Sequence, residues 1–150
     1  MKSKPDPVEL RCACAAARHV ARLTTQLYEE ELREHLAVPQ FALLSVIRYR
    51  PGSNQAILAR ELDFDKTTLS RNLKLLEKNG WIRHLESDDL RERGYQLTPH
   101  GMKILSASKS GWKRAQSRLR DAMTDTQWDA MWQAFGALKT AARQALKQAR

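Results

Sequence analysis

The sequence predicts a mainly α-helical chain interrupted once by a small two-stranded hairpin, on three observations. Apolar residues recur at three- and four-residue intervals along most of the 150 positions. Capping residues and Pro/Gly breaks divide that pattern into six helical segments. Between Gly80 and Pro99 the periodicity changes, leaving two short strand-like runs, Trp81–Leu85 and Gly94–Leu97.

In order, the first helix is expected from Val8 to about Leu36, with Ala16, Val20, Leu23 and Leu27 on one face. Pro39 begins a second helix, placing Phe41, Leu44 and Ile47 together, and Pro51-Gly52 closes it. Ser53 is expected to cap a short third helix containing Ile57, Leu58 and Leu62. Asp65 caps a fourth, Lys66–Asn79, which Gly80 stops. A charged loop, Ser87–Arg93, separates the two strands. Thr98-Pro99 is a cap followed by proline at the first helical position, opening a helix to about Met123. Thr124 caps the last helix, whose apolar stripe is Trp128, Met131, Trp132, Phe135, Leu138, Ala142 and Leu146.

Composition limits the functional classes. With 42% hydrophobic and 29% charged residues the chain is ordinary globular material. No run is long and apolar enough for a bilayer, so no membrane association and a soluble, cytoplasmic protein are expected. The net charge of +9 points to a polyanionic partner. Residues 103–150 carry ten basic and three acidic residues, so charge alone does not locate a site. The two cysteines, Cys12 and Cys14, supply no disulfide framework or zinc spacing. The four histidines show no metal-ligand pattern, the glycines mark turns rather than a phosphate loop, and no nucleophile has a recognisable base. No catalytic residue, metal or cofactor is assigned, and the chain does not read as an enzyme.

The fourth helix carries the chemistry. Leu69, Leu73 and Leu76 share one face and must pack inward, while Thr67, Ser70, Arg71, Lys74 and Lys78 share the other. Short hydroxyls near the N-terminus with long cations behind them suit entry into a DNA major groove, where arginine pairs with guanine O6 and N7. A solvated amphipathic face has the same pattern, so the helix alone leaves both readings open. The hairpin that follows discriminates: Arg91 and Arg93 near its tip match a wing that inserts a cation into the minor groove. The order of helix, turn, reading helix and basic hairpin predicts a winged helix-turn-helix.

Here the sequence resembles the MarR family of transcription regulators. The match runs through Ser53-Asn54-Gln55-Ala56-Ile57-Leu58-Ala59, Thr67-Thr68-Leu69-Ser70-Arg71 and Leu76-Glu77-Lys78-Asn79-Gly80-Trp81-Ile82. It continues through Asp89-Leu90-Arg91 to Leu97-Thr98-Pro99-His100-Gly101, like the family's D-x-R wing and L-T-x-x-G ending. The resemblance implies a winged helix-turn-helix domain over residues 37–98, with residues 1–36 and 99–150 forming dimerisation helices. It further implies a homodimer that binds double-stranded operator DNA as a repressor, with two reading helices in successive major grooves. By position, Ser53, Asn54, Gln55, Lys66, Thr67, Thr68, Ser70, Arg71 and Lys74 are the DNA-contacting set. Arg93 is expected in the minor groove, and Arg91 there or bracing the wing against Asp65 or Asp89.

The resemblance also implies release by a small aromatic or phenolic acid bound where the first, second and fifth helices meet. Arg18, His19 and Arg22 form a cationic strip for the carboxylate, with Phe41 and Trp112 as aromatic walls. A solvated arginine face and plain aromatic core explain the same residues. Cys12 and Cys14 admit two readings, small apolar residues in an alanine-rich helix or an oxidant sensor. An adaptor or nonspecific DNA-binding protein is the remaining alternative.

Overall fold

The computed structural model describes residues 12–32, 36–86, 89 and 93–148. They form α1 (Ala13–Leu32), α2 (Val38–Tyr49), α3 (Gln55–Leu62), α4 (Lys66–Lys78), β1 (Ile82–His84), β2 (Tyr95–Leu97), α5 (Pro99–Asp121) and α6 (Asp125–Gln148). The expected mainly helical fold with one two-stranded hairpin is present. The chain forms two compact units that divide within α5, Met1–Lys113 and Arg114–Arg150.

In the first unit, α2 contacts α1, α3, α4 and β2. Its high apolar content explains this: Leu43, Leu44 and Ile47 are fully buried. Leu36, Leu58, Leu69, Leu73, Leu76, Ile82, Tyr95 and Leu105 complete the core, with Phe64 packed at its margin. Burying each such leucine stabilises the fold by roughly 1.5–3 kcal/mol.

The caps fix where these helices begin. Asp65 Oδ1 accepts from Thr68 N at 2.8 Å and starts α4 as expected. The expected cap of α3 is corrected: Asn54, not Ser53, accepts from Ile57 N at 3.0 Å. Ser53 instead continues the sheet as a bridge to Tyr95, because its extended backbone accepts from Tyr95 N at 3.0 Å. The wing therefore has a third edge, with Gly52 N donating to Tyr95 O at 2.9 Å. That approach leaves no room for a side chain at Gly94, where an added Cβ would collide with Gly52.

β1 and β2 pair antiparallel with Ile82 opposite Leu97, Arg83 opposite Gln96 and His84 opposite Tyr95. Both strands are shorter than their apolar runs, Trp81 and Leu85 lying outside the ladder. Thr98 then caps α5: its Oγ1 accepts from Gly101 N at 3.0 Å and donates to Gly80 O at 2.6 Å.

In the second unit, Thr124 and Gln127 cap α6 reciprocally, Thr124 N donating to Gln127 Oε1 and Gln127 N to Thr124 Oγ1. Arg120 secures the corner, paired with Asp125 and lying 5.4 Å from the Trp128 ring centre. No described helix is long and apolar enough to cross a membrane.

Candidate nucleic-acid interface

α3, the turn at residues 63–65 and α4 form the helix-turn-helix. The turn is tight because Asp63 takes a left-handed conformation at φ 51°, letting Phe64 N donate to Ala59 O at 3.2 Å. Phe64 packs against the core and fixes the entry to α4. With Leu69, Leu73 and Leu76 buried, helical geometry leaves Lys66, Thr67, Arg71, Lys74 and Lys78 exposed. This is the face the sequence predicted, brought together as one surface with its cations along three turns.

Four members of the expected set make side-chain hydrogen bonds within the chain. Thr68 Oγ1 donates to Asp65 Oδ2 at 2.5 Å, committing that hydroxyl to the helix cap. Ser53 is 4% exposed and its Oγ donates to Arg50 O at 2.8 Å, which withdraws it from the surface. Asn54 is occupied as the α3 cap. Gln55 is exposed at the first position of α3, its Nε2 donating to Tyr95 OH at 3.2 Å. Ser70 is half-buried. The Asp65 carboxyl is held below the usual carboxylate range, first by the Thr68 hydroxyl and then by the Thr68 backbone N–H.

On the wing, Arg93 is exposed, and Arg91 lies outside the described residues. The sequence reading missed Arg83. It is exposed on β1, and with the Gln96 amide oxygen turned toward it, Arg83 Nε and NH2 both donate at 2.8 Å. The signal was present in the strand register, which sets Arg83 beside Gln96 on the face opposite Ile82. Also unforeseen is the link between wing and α4: His84 Nε2 lies 2.8 Å from Glu77 Oε1.

A second feature lies in the same unit. A cavity of about 560 Å³ is walled by Tyr28 and Leu32 of α1, seven residues of α2, Leu62 of α3, and Leu105, Lys109, Trp112 and Lys113 of α5. Phe41 and Trp112 face each other nearly parallel, 6.1 Å between ring centres. The Tyr28 hydroxyl is pushed above its ordinary range by burial. Among the described lining residues the charged ones are all cations, Arg48, Lys109 and Lys113.

The expected aromatic walls thus line one cavity, but the expected anion strip does not join them. Arg18, His19 and Arg22 line a separate open hollow with Ala21. The reason is helical length: Arg18 lies ten residues before Tyr28, about 15 Å along α1. Lys109 and Lys113, four residues apart on one face of α5 beside Trp112, were the overlooked cations. Cys12 and Cys14 are exposed at the start of α1, where Ala15 N donates to Cys12 Sγ at 3.5 Å. Among the described residues, no group of acidic, histidine or cysteine side chains could hold a metal ion.

Comparison with known proteins agrees with this geometry. The MarR family profile matches residues 36–92. The transcriptional regulator HosA of Escherichia coli O157:H7 is 33% identical over 92 residues, covering 61% of this chain and 67% of HosA. The transcriptional regulator MosR of M. tuberculosis, solved in complex with DNA, is 30% identical. It superposes with a TM-score of 0.79 over 89% of this chain and 98% of its own. PcaV of Streptomyces coelicolor, solved with its natural ligand, shares the fold at 17% identity, with a TM-score of 0.78 over 87% of this chain and 93% of its own. The chain belongs to the MarR family and is a DNA-binding transcriptional regulator.

Proposed function

We propose that this regulator is a homodimeric repressor that occupies a pseudo-palindromic operator and leaves it when a small aromatic anion enters the α1–α2–α5 cavity. Residues 37–98 read DNA through Lys66, Thr67, Arg71 and Lys74 of α4, with Gln55 of α3 and Arg93 and Arg91 of the wing. Residues 1–36 and 99–150 supply the dimer contacts. Support for the dimer is the apolar surface of α6, where Trp132, Phe135 and Leu138 are 55%, 45% and 45% exposed in the single chain. Contiguous apolar surface of that kind marks an interface.

The observation that carries the proposal is that one helix serves both features. α2 buries Leu43, Leu44 and Ile47 against the reading unit and presents Phe41, Ser45 and Arg48 to the cavity. A ligand that shifts α2 therefore shifts α4 with it. DNA affinity falls by the ligand's differential affinity for the two arrangements. The lining supports that class of ligand: parallel rings favour a planar aromatic, and three cations with no acidic residue among the described lining favour a carboxylate.

The test is release of a duplex selected by the protein from a randomised pool, titrated with a panel of aromatic carboxylates. Lys109→Ala/Lys113→Ala should need at least tenfold more of the active acid, while Arg18→Ala/Arg22→Ala should respond as wild type does. An acid that releases wild type and the lysine variant at the same concentration would remove the cavity from the mechanism.

A further inference from the structure

The helix-turn-helix and wing are packed mainly by leucines. Amid that core lies one buried phenol. Tyr95 is 2% exposed and is fixed from several directions. Its backbone N–H donates to Ser53 O at 3.0 Å and its carbonyl accepts from Gly52 N at 2.9 Å. Its ring lies 4.4 Å from that of His84, which in turn meets Glu77 of α4 at 2.8 Å. Its hydroxyl accepts from Nε2 of Gln55, an exposed residue at the first position of α3, at 3.2 Å. Gln55, Glu77, His84 and Tyr95 thus contribute one polar group each from α3, α4, β1 and β2.

We propose that Tyr95 is a positioning residue for DNA reading, its buried hydroxyl holding the Gln55 side chain in the orientation from which it meets DNA. This rests on the proposed role of Gln55 at the interface. A glutamine has three side-chain torsions to immobilise, and ordering them on binding costs conformational entropy. A hydrogen bond already made in the free protein removes much of that cost from binding. The anchor suits the task because burial raises the Tyr95 pKa, so the phenol stays neutral. One Gln55 N–H is then engaged, and Oε1 and the second N–H remain to meet a base edge. The partner amide is exposed, so losing the phenolic oxygen returns it to water and strands no buried group.

The experiment uses full-length wild type, Tyr95→Phe, Gln55→Ala, the double variant and Arg71→Ala. Each is titrated at one salt concentration with a duplex that wild type selects from a randomised pool, and with a scrambled duplex. Tyr95→Phe should lose about threefold to tenfold on the selected duplex. Its binding to the scrambled duplex, salt dependence and unfolding midpoint should match wild type. The double variant should bind no worse than Gln55→Ala alone, since the hydroxyl acts through that amide. Tyr95→Phe binding like wild type, while Gln55→Ala and Arg71→Ala lose preference, would overturn the positioning role and leave the DNA-reading proposal intact. Additive losses, or equal loss on both duplexes with a lowered midpoint, would overturn it in favour of plain structural support. An Arg71→Ala protein that keeps full preference would remove the DNA-reading face itself.

Discussion

Gly101→Ala tests whether the junction between wing and α5 is as close as the structure has it, because two effects there have opposite signs. Gly101 is the third residue of α5, and alanine in a helix is worth up to about 1 kcal/mol over glycine. Propensity alone predicts a stabilised protein. Yet a Cβ at this position would collide with the Trp81 carbonyl oxygen. Relief requires the start of α5 to retreat by roughly an ångström, against a close-packed interior that resists such overpacking at about 1–3 kcal/mol. The retreat pulls on Thr98, whose N–H donates to Trp81 O at 3.0 Å and whose Oγ1 donates to Gly80 O at 2.6 Å. Each bond is worth about 1 kcal/mol net. The expected outcome is destabilisation by about 2–4 kcal/mol, a fall in melting temperature on the order of 10 °C. Urea and thermal unfolding at one fixed protein concentration measure it, since the stability of the proposed dimer depends on concentration. Gly80→Ala is the control: Gly80 has φ 68° and open space around its Cβ position, so only the left-handed backbone cost of about 1–2 kcal/mol applies. A Gly101→Ala protein as stable as wild type, or less affected than Gly80→Ala, would refute the steric argument.

Two further outcomes follow from the cap and the exposed helix. Asp65→Ala should lower the melting temperature at neutral pH by removing the cap of α4. Because the folded carboxyl has a lowered pKa, its stabilisation is present above the ordinary carboxylate value of about 3.9 and is lost as pH falls through the folded value. The gap between variant and wild type should therefore close in acid, and a gap that widens there contradicts the assignment. Trp132→Asp/Phe135→Asp should yield a species of half the wild-type mass in sedimentation at micromolar concentration, with weakened binding to operator-length DNA. A wild type that sediments as a folded monomer would dispose of the proposed dimer.

The helices, their order and the exposed cationic face of α4 were legible in the chain because each rests on local rules. Leucine spacing at Leu69, Leu73 and Leu76 dictates which face of a helix turns inward, whatever it packs against. Asp65, Gly80, Thr98 and Thr124 mark helix ends through bonds spanning only a few residues. Ser53 shows where this reasoning stops. Both Ser53 and Asn54 are competent caps, and the choice fell to Asn54 because Ser53 is drawn into the sheet by Tyr95, 42 positions away.

What only the tertiary structure decided shares that non-local character. The cavity joins residues from Tyr28 to Lys113, and its cations come from α2 and α5 rather than from the arginine strip on α1. The Gln55–Tyr95 hydrogen bond spans 40 positions, and Arg83 acquires its Gln96 partner through strand register. Periodicity fixes the direction of a side chain about its own helix axis, but which groups meet across elements depends on the packing of those axes. That packing is set by the combined shape of the leucine core, a property of the whole unit that no short stretch of sequence contains.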